Sequence, residues 1–203
     1  MKCYLFVVLL SIYSNVFGQE KFRIKEVETG NGKTIYYMVN EKGKSIKELD
    51  STKYTISMNA DDYLYFAIFH IKGEKGWSAI DSNENVLFEV YNTSFGEPSP
   101  DEIIEKKIRI VDENDKIGFA DYKGKIIIKP QFEIASSFHK GKAIIGQSCD
   151  KIPWDKHVDE NGCHHYSVVC DKQGYIDESG RIILLGDYTF EEIQKKIHWK
   201  RPD

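Results

Sequence analysis

No Cys-x-x-Cys pair occurs among the four cysteines of this 203-residue chain, so the paired-ligand spacings of zinc fingers and dithiol redox motifs are missing. No arginine- or lysine-rich stripe occurs either. The 28 basic residues are interspersed with 32 acidic ones for a formal charge of −4, which argues against nucleic acid as a partner because nothing is concentrated to neutralise phosphates. Long apolar runs are also lacking. The longest, Tyr4 to Ile12 behind Lys2, is too short to cross a bilayer as a helix, and no later stretch is a candidate span.

That run, followed by Val16, Phe17 and Gly18, has the shape of a signal peptide covering residues 1–18. The expectation is an exported chain, periplasmic or extracellular, whose mature part, residues 19–203, forms one domain in a compartment where disulfides persist. Loss of Lys2 would take the charge from −4 to −5. Cys3 precedes the apolar run and is badly placed for a lipid anchor.

What the chain does have is a short phrase repeated along its length. It reads GFADYKGKI from Gly118 to Ile126 and GYIDESGRI from Gly174 to Ile182, with weaker copies at Tyr37 to Ile46 and Ser78 to Leu87. Anchoring each copy on its acidic or amide residue gives Asn40, Asp81, Asp121 and Asp177, at steps of 41, 40 and 56 residues. A period near forty means one small supersecondary unit stacked on copies of itself. Apolar and small residues, an Asx residue, a glycine three positions on and then a β-branched run describe a hairpin. The Asx side chain accepts backbone N–H groups ahead of it and the glycine takes φ > 0. In the second copy Glu84 stands at the glycine position, which predicts either a rearranged turn or a left-handed Asn83 or Asn85.

The segment Lys116 to Ile145, KIGFADYKGKIIIKPQFEIASSFHKGKAII, resembles one full unit of the WG beta repeat family. The likeness is partial at Trp77 to Leu87, where Ser78 replaces the glycine, and at Gln173 to Leu184, where Gln173 replaces the tryptophan. The resemblance implies a repetitive all-β architecture, and it brings no catalytic residues and no cofactor. The expected fold is all-β: an array of about four antiparallel hairpins with a short C-terminal helix. That helix follows from the capping box Thr189 to Glu192, with Phe190, Ile193 and Ile197 on one face to close the array. Ser99, Pro100, Asp101 and Glu102 predict a second short helix ending by Lys107. Strands are expected at Tyr63 to Ile71 and at Lys107 to Val111, where Ile108 and Ile110 flank Arg109.

The longer third step reflects an insertion, Gln147 to Val169, that holds Cys149, Trp154, His157, Cys163, His164 and His165, with Cys170 just beyond. Three readings apply. A disulfide across the neck of the loop is expected between Cys149 and Cys163, leaving Cys170 unpaired or bonded to another chain. The cysteines can instead be free thiols. As a metal site, Cys149, His157, Cys163 and one of His164 or His165 are the right donor types for zinc, at a spacing that fits no paired pattern. Binding is expected to centre on Trp154, His157, His164 and His165, with a protein or a cell-envelope polymer as partner. Tyr91, Phe95 and Trp199 are further aromatic anchors or else packing residues. Catalysis, as a hydrolase or a metal-dependent activity in the insertion, is the alternative. The regularly placed Asp81, Asp121 and Asp177 count against a carboxylate pair, since turn formation already explains them.

Overall fold

A computed structural model of the chain describes residues 20–30, 32–57, 62–93, 99–153 and 166–201. The described residues are mostly antiparallel strand, with one short C-terminal helix. The first sheet comprises β1 (Phe22–Glu28), β2 (Thr34–Asn40) and β3 (Ser45–Glu48). Next come β4 (Tyr54–Ser57), β5 (Ala67–Ile71), β6 (Trp77–Ile80) and β7 (Val86–Val90), then a two-stranded excursion of β8 (Asn92–Thr93) and β9 (Ser99–Pro100). The strands β10 (Lys107–Val111), β11 (Ile117–Asp121) and β12 (Ile126–Phe132) join β4 to β7 in one seven-stranded sheet, through the pairing of β10 with β7. The last sheet holds β13 (Ile134–Ala135), β14 (Lys142–Pro153), β15 (Tyr166–Asp177) and β16 (Ile182–Gly186), and α1 (Phe190–Ile197) follows. Sheets of three, seven, four and two strands do not divide into four like units.

Local chemistry explains the hairpins. The Oδ1 atoms of Asn40, Asp81, Asp121 and Asp177 each accept the backbone N–H groups two and four residues ahead, at 2.8–3.1 Å. Asp112 does the same with Asn114 and Lys116, a fifth turn of this design that the repeated phrase did not reveal. The residue three beyond each anchor is left-handed: Gly43, Glu84, Asp115, Gly124 and Gly180, with φ between 58° and 83°. This is the three-residue loop in which a left-handed residue closes a type I turn and leaves a bulge. Register shifts follow at Met38/Val39, Ala79/Ile80, Phe119/Ala120 and Tyr175/Ile176. The second turn is not rearranged, and neither asparagine is the left-handed residue; Glu84 itself adopts that conformation.

Packing turns the hairpins into a stack. Along the second unit Ala67, Phe69 and Ile71 enter one core with Phe22, Ile24, Tyr36 and Met38, while Phe66 and Ile68 enter the next with Trp77, Phe88, Ile108 and Ile110. In β11, Ala120 faces that second core, and Ile117 and Phe119 face a third with Ile128, Phe138, Ile145 and Ile176. Ile144 of β14 turns to a fourth, small core against Ile193, Ile197 and Trp199. Side chains alternate across a strand, so a hairpin with neighbours on both sides is apolar on both faces. Accordingly β6 and the first four residues of β11 are buried throughout. The array ends where α1 covers it. Thr189 and Glu192 cap the helix reciprocally, and its Ile193 and Ile197 are the buried face.

The expected helix beginning at Ser99 does not form. Asp101 spends its carboxylate on Arg109 rather than on a helix N-terminus, and Glu105 and Lys106 are both left-handed in a tight hairpin turn closed by reciprocal bonds between Ile104 and Lys107. The strand expected from Tyr63 begins its regular pairing only at Ala67, with Leu64 making a lone bridge to Phe22. None of the described helices is long and apolar enough to cross a membrane.

Candidate functional site

The excursion β8–β9, the strand β13 and the end of α1 surround an open cleft of about 710 Å³. Arg109 organises its floor. Ile108 and Ile110 point into the second core, so the residue between them emerges on the opposite side of β10. There its Nη2 and Nε donate to the two carboxylate oxygens of Asp101 at 2.5 and 3.0 Å, and its Nη1 donates to the Ala135 carbonyl at 3.0 Å. The guanidinium also lies 4.4 Å from the Tyr91 ring centroid. Asp101 is 5% exposed and also accepts the Arg109 backbone N–H, so the two charges are matched in bidentate geometry rather than left uncompensated. One side chain thereby ties the excursion to the last sheet.

The opposite wall belongs to the helix. Trp199 Nε1 donates to the Ser137 carbonyl at 2.9 Å, and the Phe190 ring meets the Trp199 ring edge-on with centroids 5.9 Å apart. Ser136 satisfies both backbone groups of Ile144, its Oγ accepting the Ile144 N–H and its own N–H donating to the Ile144 carbonyl. Gln194, Glu102 and Arg201 stand at the lip. The floor charges are already paired. The cleft can therefore offer apolar and aromatic contact below and polar contact at its mouth, the usual anatomy of a binding pocket.

Tyr91 and Trp199, two of the aromatics singled out in the sequence, come together here; Phe95 and Trp154 lie outside the described residues. So do His157, Cys163, His164 and His165. Arg109 and Asp101 carry the floor and were missed as a pair. The available signal was a lone arginine between two core isoleucines, which demands an acidic partner but does not name it.

The disulfide joins Cys149 to Cys170, with Cα atoms 3.9 Å apart, in place of the expected Cys149–Cys163 bridge. The reason is that β14 and β15 continue in register as far as Pro153 and Tyr166, so the insertion has no narrow neck before Cys149. It is the outer half of one long hairpin, and Cys149 and Cys170 are direct cross-strand neighbours. Gly146 leaves room for the bridge, since a Cβ there would lie 2.6 Å from the Cys170 sulfur. Beside it Glu133 accepts the Cys149 backbone N–H at 2.6 Å and meets Lys116 at 3.2 Å. The Cys149 amide first, and Lys116 next, hold the Glu133 carboxyl below the usual range against the opposing effect of burial. A metal set drawn around a Cys149 thiolate loses that ligand to the disulfide. Among the described residues no group of three or more His, Cys, Asp or Glu side chains is placed to hold a metal ion.

Two glycines of the repeated phrase show what the unit requires. A Cβ on Gly118 would lie 2.5 Å from the Ile128 carbonyl oxygen, and one on Gly174 would lie 1.8 Å from that of Leu184. The partner strand of each hairpin crosses directly over these positions. Stacked antiparallel hairpins with recurrent Asx turns and a terminal helix define a repeat-type β protein. Residues 117–147 match the family model for the WG containing repeat, a likeness that covers this one unit of the chain. No curated protein matches the chain.

Proposed function

We propose that the chain is an exported, non-catalytic binding module, and that the cleft between β8–β9, β13 and α1 receives an apolar side chain from a protein partner. The observation that carries this reading is the cleft itself: aromatic walls over a floor whose charges are already satisfied by Asp101, Arg109 and Ala135. Such a surface rewards burial of an apolar group against its aromatic walls. The repeat architecture supports the same reading, because arrays present surfaces rather than reaction centres. The Asp81, Asp121 and Asp177 carboxylates are occupied by turn amides, which draws them away from acid–base work. Export is supported by the Cys149–Cys170 bridge, a bond that lasts in oxidising compartments.

A second contact is proposed at the tip of the long hairpin, with Trp154, His157, His164 and His165. The disulfide staples the base of that tip, and Ile152, Val168 and Val169 on the strands leading to it are 39–52% exposed. The test is capture of a partner from a cell-envelope extract by the full chain. Phe190→Glu with Gln194→Lys is expected to reduce capture at least tenfold while removal of residues 154–165 reduces it less. Undiminished capture by the cleft variant would refute the cleft, and loss on tip removal alone would transfer the role to the tip.

A further inference from the structure

A strip of tyrosines and cations runs along the first three hairpins and shares no residue with the cleft lining. It begins where β1 meets the segment before β5. Phe22 and Leu64 exchange backbone hydrogen bonds at 2.9 and 3.0 Å, and Phe22 is core. Alternation then sends the flanking residues outward together: Lys21 beside Tyr65 and Arg23 beside Tyr63. The Lys21 Nζ lies 5.6 Å from the Tyr65 ring centroid, and the Arg23 guanidinium lies 5.7 Å from that of Tyr63, with Nε donating to its hydroxyl at 3.1 Å. The Tyr65 ring meets the Tyr122 ring edge-on at 5.9 Å. Tyr122 in turn carries Lys106 at 6.0 Å and Lys123 at 5.7 Å, and its backbone N–H is fixed on the Lys106 carbonyl.

These four cations are set apart by being grouped along one run of tyrosine rings. Lys47, Lys107, Arg109, Lys116 and Arg181 each face a carboxylate, whereas among the described residues no ion pair involves Lys21, Arg23, Lys106 or Lys123. Their neighbours are tyrosine rings. On a chain of net charge −4, a local cluster of positive charge held on aromatic supports is a departure from the average surface. Two strand residues span about 7 Å, so with the Tyr65–Tyr122 contact the strip extends roughly 15–20 Å.

We infer that this strip binds an acidic polysaccharide, a glycan bearing sugar carboxylates at intervals. The cations neutralise the carboxylates, and the tyrosine edges and hydroxyls meet the sugar hydroxyls. No hydrogen bond among the described residues occupies the Tyr65 or Tyr122 hydroxyl. A nucleic-acid strand fits less well. Successive bases want free ring faces, and here the two rings stand at 68° with cations over their faces. A lipid surface would want exposed aliphatic residues, and the strip has none. The site is separate from the cleft and does not depend on it.

The test uses the full chain and immobilised polygalacturonate, with neutral dextran, vesicles containing one-quarter phosphatidylglycerol, and oligo-dT as competing surfaces. Polygalacturonate is expected to bind, more weakly as salt rises, while dextran does not. Lys21→Glu, Lys106→Glu and Lys123→Glu together should weaken it at least tenfold, and Tyr65→Ala with Tyr122→Ala severalfold, with thermal midpoints unchanged. If the charge reversal unfolds the chain, the corresponding Lys→Gln triple takes its place with a smaller loss. Phe190→Glu should leave this binding intact, so the strip and the cleft stand or fall separately. No binding to polygalacturonate, equal binding to dextran, tighter binding to vesicles or oligo-dT, or indifference of the folded variants would each overturn the inference.

Discussion

Glu84→Gly is expected to destabilise the protein, although the general rule for its position predicts the reverse. Glu84 has φ 64°, the left-handed region where glycine carries no penalty. Relief of that strain alone is worth about 1 kcal/mol. The side chain, however, reaches back across the repeat boundary. Its Oε2 accepts the Tyr54 hydroxyl at 2.8 Å, and its Oε1 pairs with Lys47. Tyr54 is 2% exposed, so without Glu84 its hydroxyl is buried with no acceptor. A hydrogen bond to a charged acceptor contributes about 1.5–3 kcal/mol, most of it lost when the buried partner is stranded. The lost bond outweighs the relieved strain, and Glu84→Gly should cost about 0.5–2 kcal/mol by these figures. Glu84→Ala keeps the strain and loses the bond, for about 1.5–3 kcal/mol.

Urea unfolding followed by the fluorescence of buried Trp77 measures this, and for a chain of this size each kcal/mol is about 2–4 °C in thermal midpoint. The pH dependence follows from two shifts. Burial pushes the Glu84 carboxyl up, but the bonds from Lys47 and Tyr54 outweigh it and leave the carboxyl below its ordinary value. Burial first, and then the hydrogen bond to Glu84, push the Tyr54 phenol well above its own. A depressed carboxyl stabilises above its unfolded value, near pH 4.3, and that stability is lost as pH falls through the folded value. A raised phenol stabilises below about pH 10, and that stability is lost as pH rises beyond it. The difference between wild type and Glu84→Gly should therefore be largest from about pH 5 to 9 and shrink at both ends. A Glu84→Gly protein more stable than wild type at pH 7 would refute the reasoning.

Three further outcomes are expected. Gly174→Ala, which drives a Cβ into the Leu184 carbonyl, should lower the thermal midpoint far more than Gly43→Ala, whose Cβ meets open space and whose φ of 76° costs about 1 kcal/mol; equal shifts would discount the strand crossing. A non-reducing digest should yield one peptide pair linking Cys149 to Cys170, and Cys149→Ser with Cys170→Ser should lose about 3 kcal/mol from the 21-residue separation, while a Cys149–Cys163 pair in the digest would overturn the cross-strand pairing. Gln173→Met, which removes a buried amide oxygen with no partner, should raise stability by about 1 kcal/mol, and a lower midpoint would show that the oxygen is satisfied in solution.

What could be read from the sequence is the chemistry a residue performs within a few positions of itself. Asn40, Asp81, Asp121 and Asp177 close turns through amides two and four residues away, and Thr189 and Glu192 cap α1 through each other. Each partnership lies within one window of sequence, so the pattern names both members. Asp101 shows the limit. Its neighbours Ser99, Pro100 and Glu102 fit a helix start, but Arg109, arriving on β10, accounts for both carboxylate oxygens and holds the segment extended. The partner of Cys149 is hidden in the sequence for a related reason. Register across β14 and β15 is set by their common origin at the Lys142–Asp177 pair, and counting from there places Cys170 opposite. Counting from the loop inward does not.

The same limit explains why the cleft left no mark on the repeat spacing. The step from Asp81 to Asp121 is 40 residues, almost the step before it, yet it contains the β8–β9 excursion and the tight turn at Glu105 and Lys106. Regular spacing constrains the turns and cores that stack, because every hairpin must present apolar residues to two neighbours. It leaves the linkers between hairpins free in composition. Where the linker after β7 and the terminal α1 reach the same side of the stack, two segments outside the hairpins converge, and Arg109 reaches out of the repeat to bind them. In such an array, specificity belongs where non-repeating pieces meet. The arginine on a core strand whose neighbours are both isoleucines is the residue that locates the meeting.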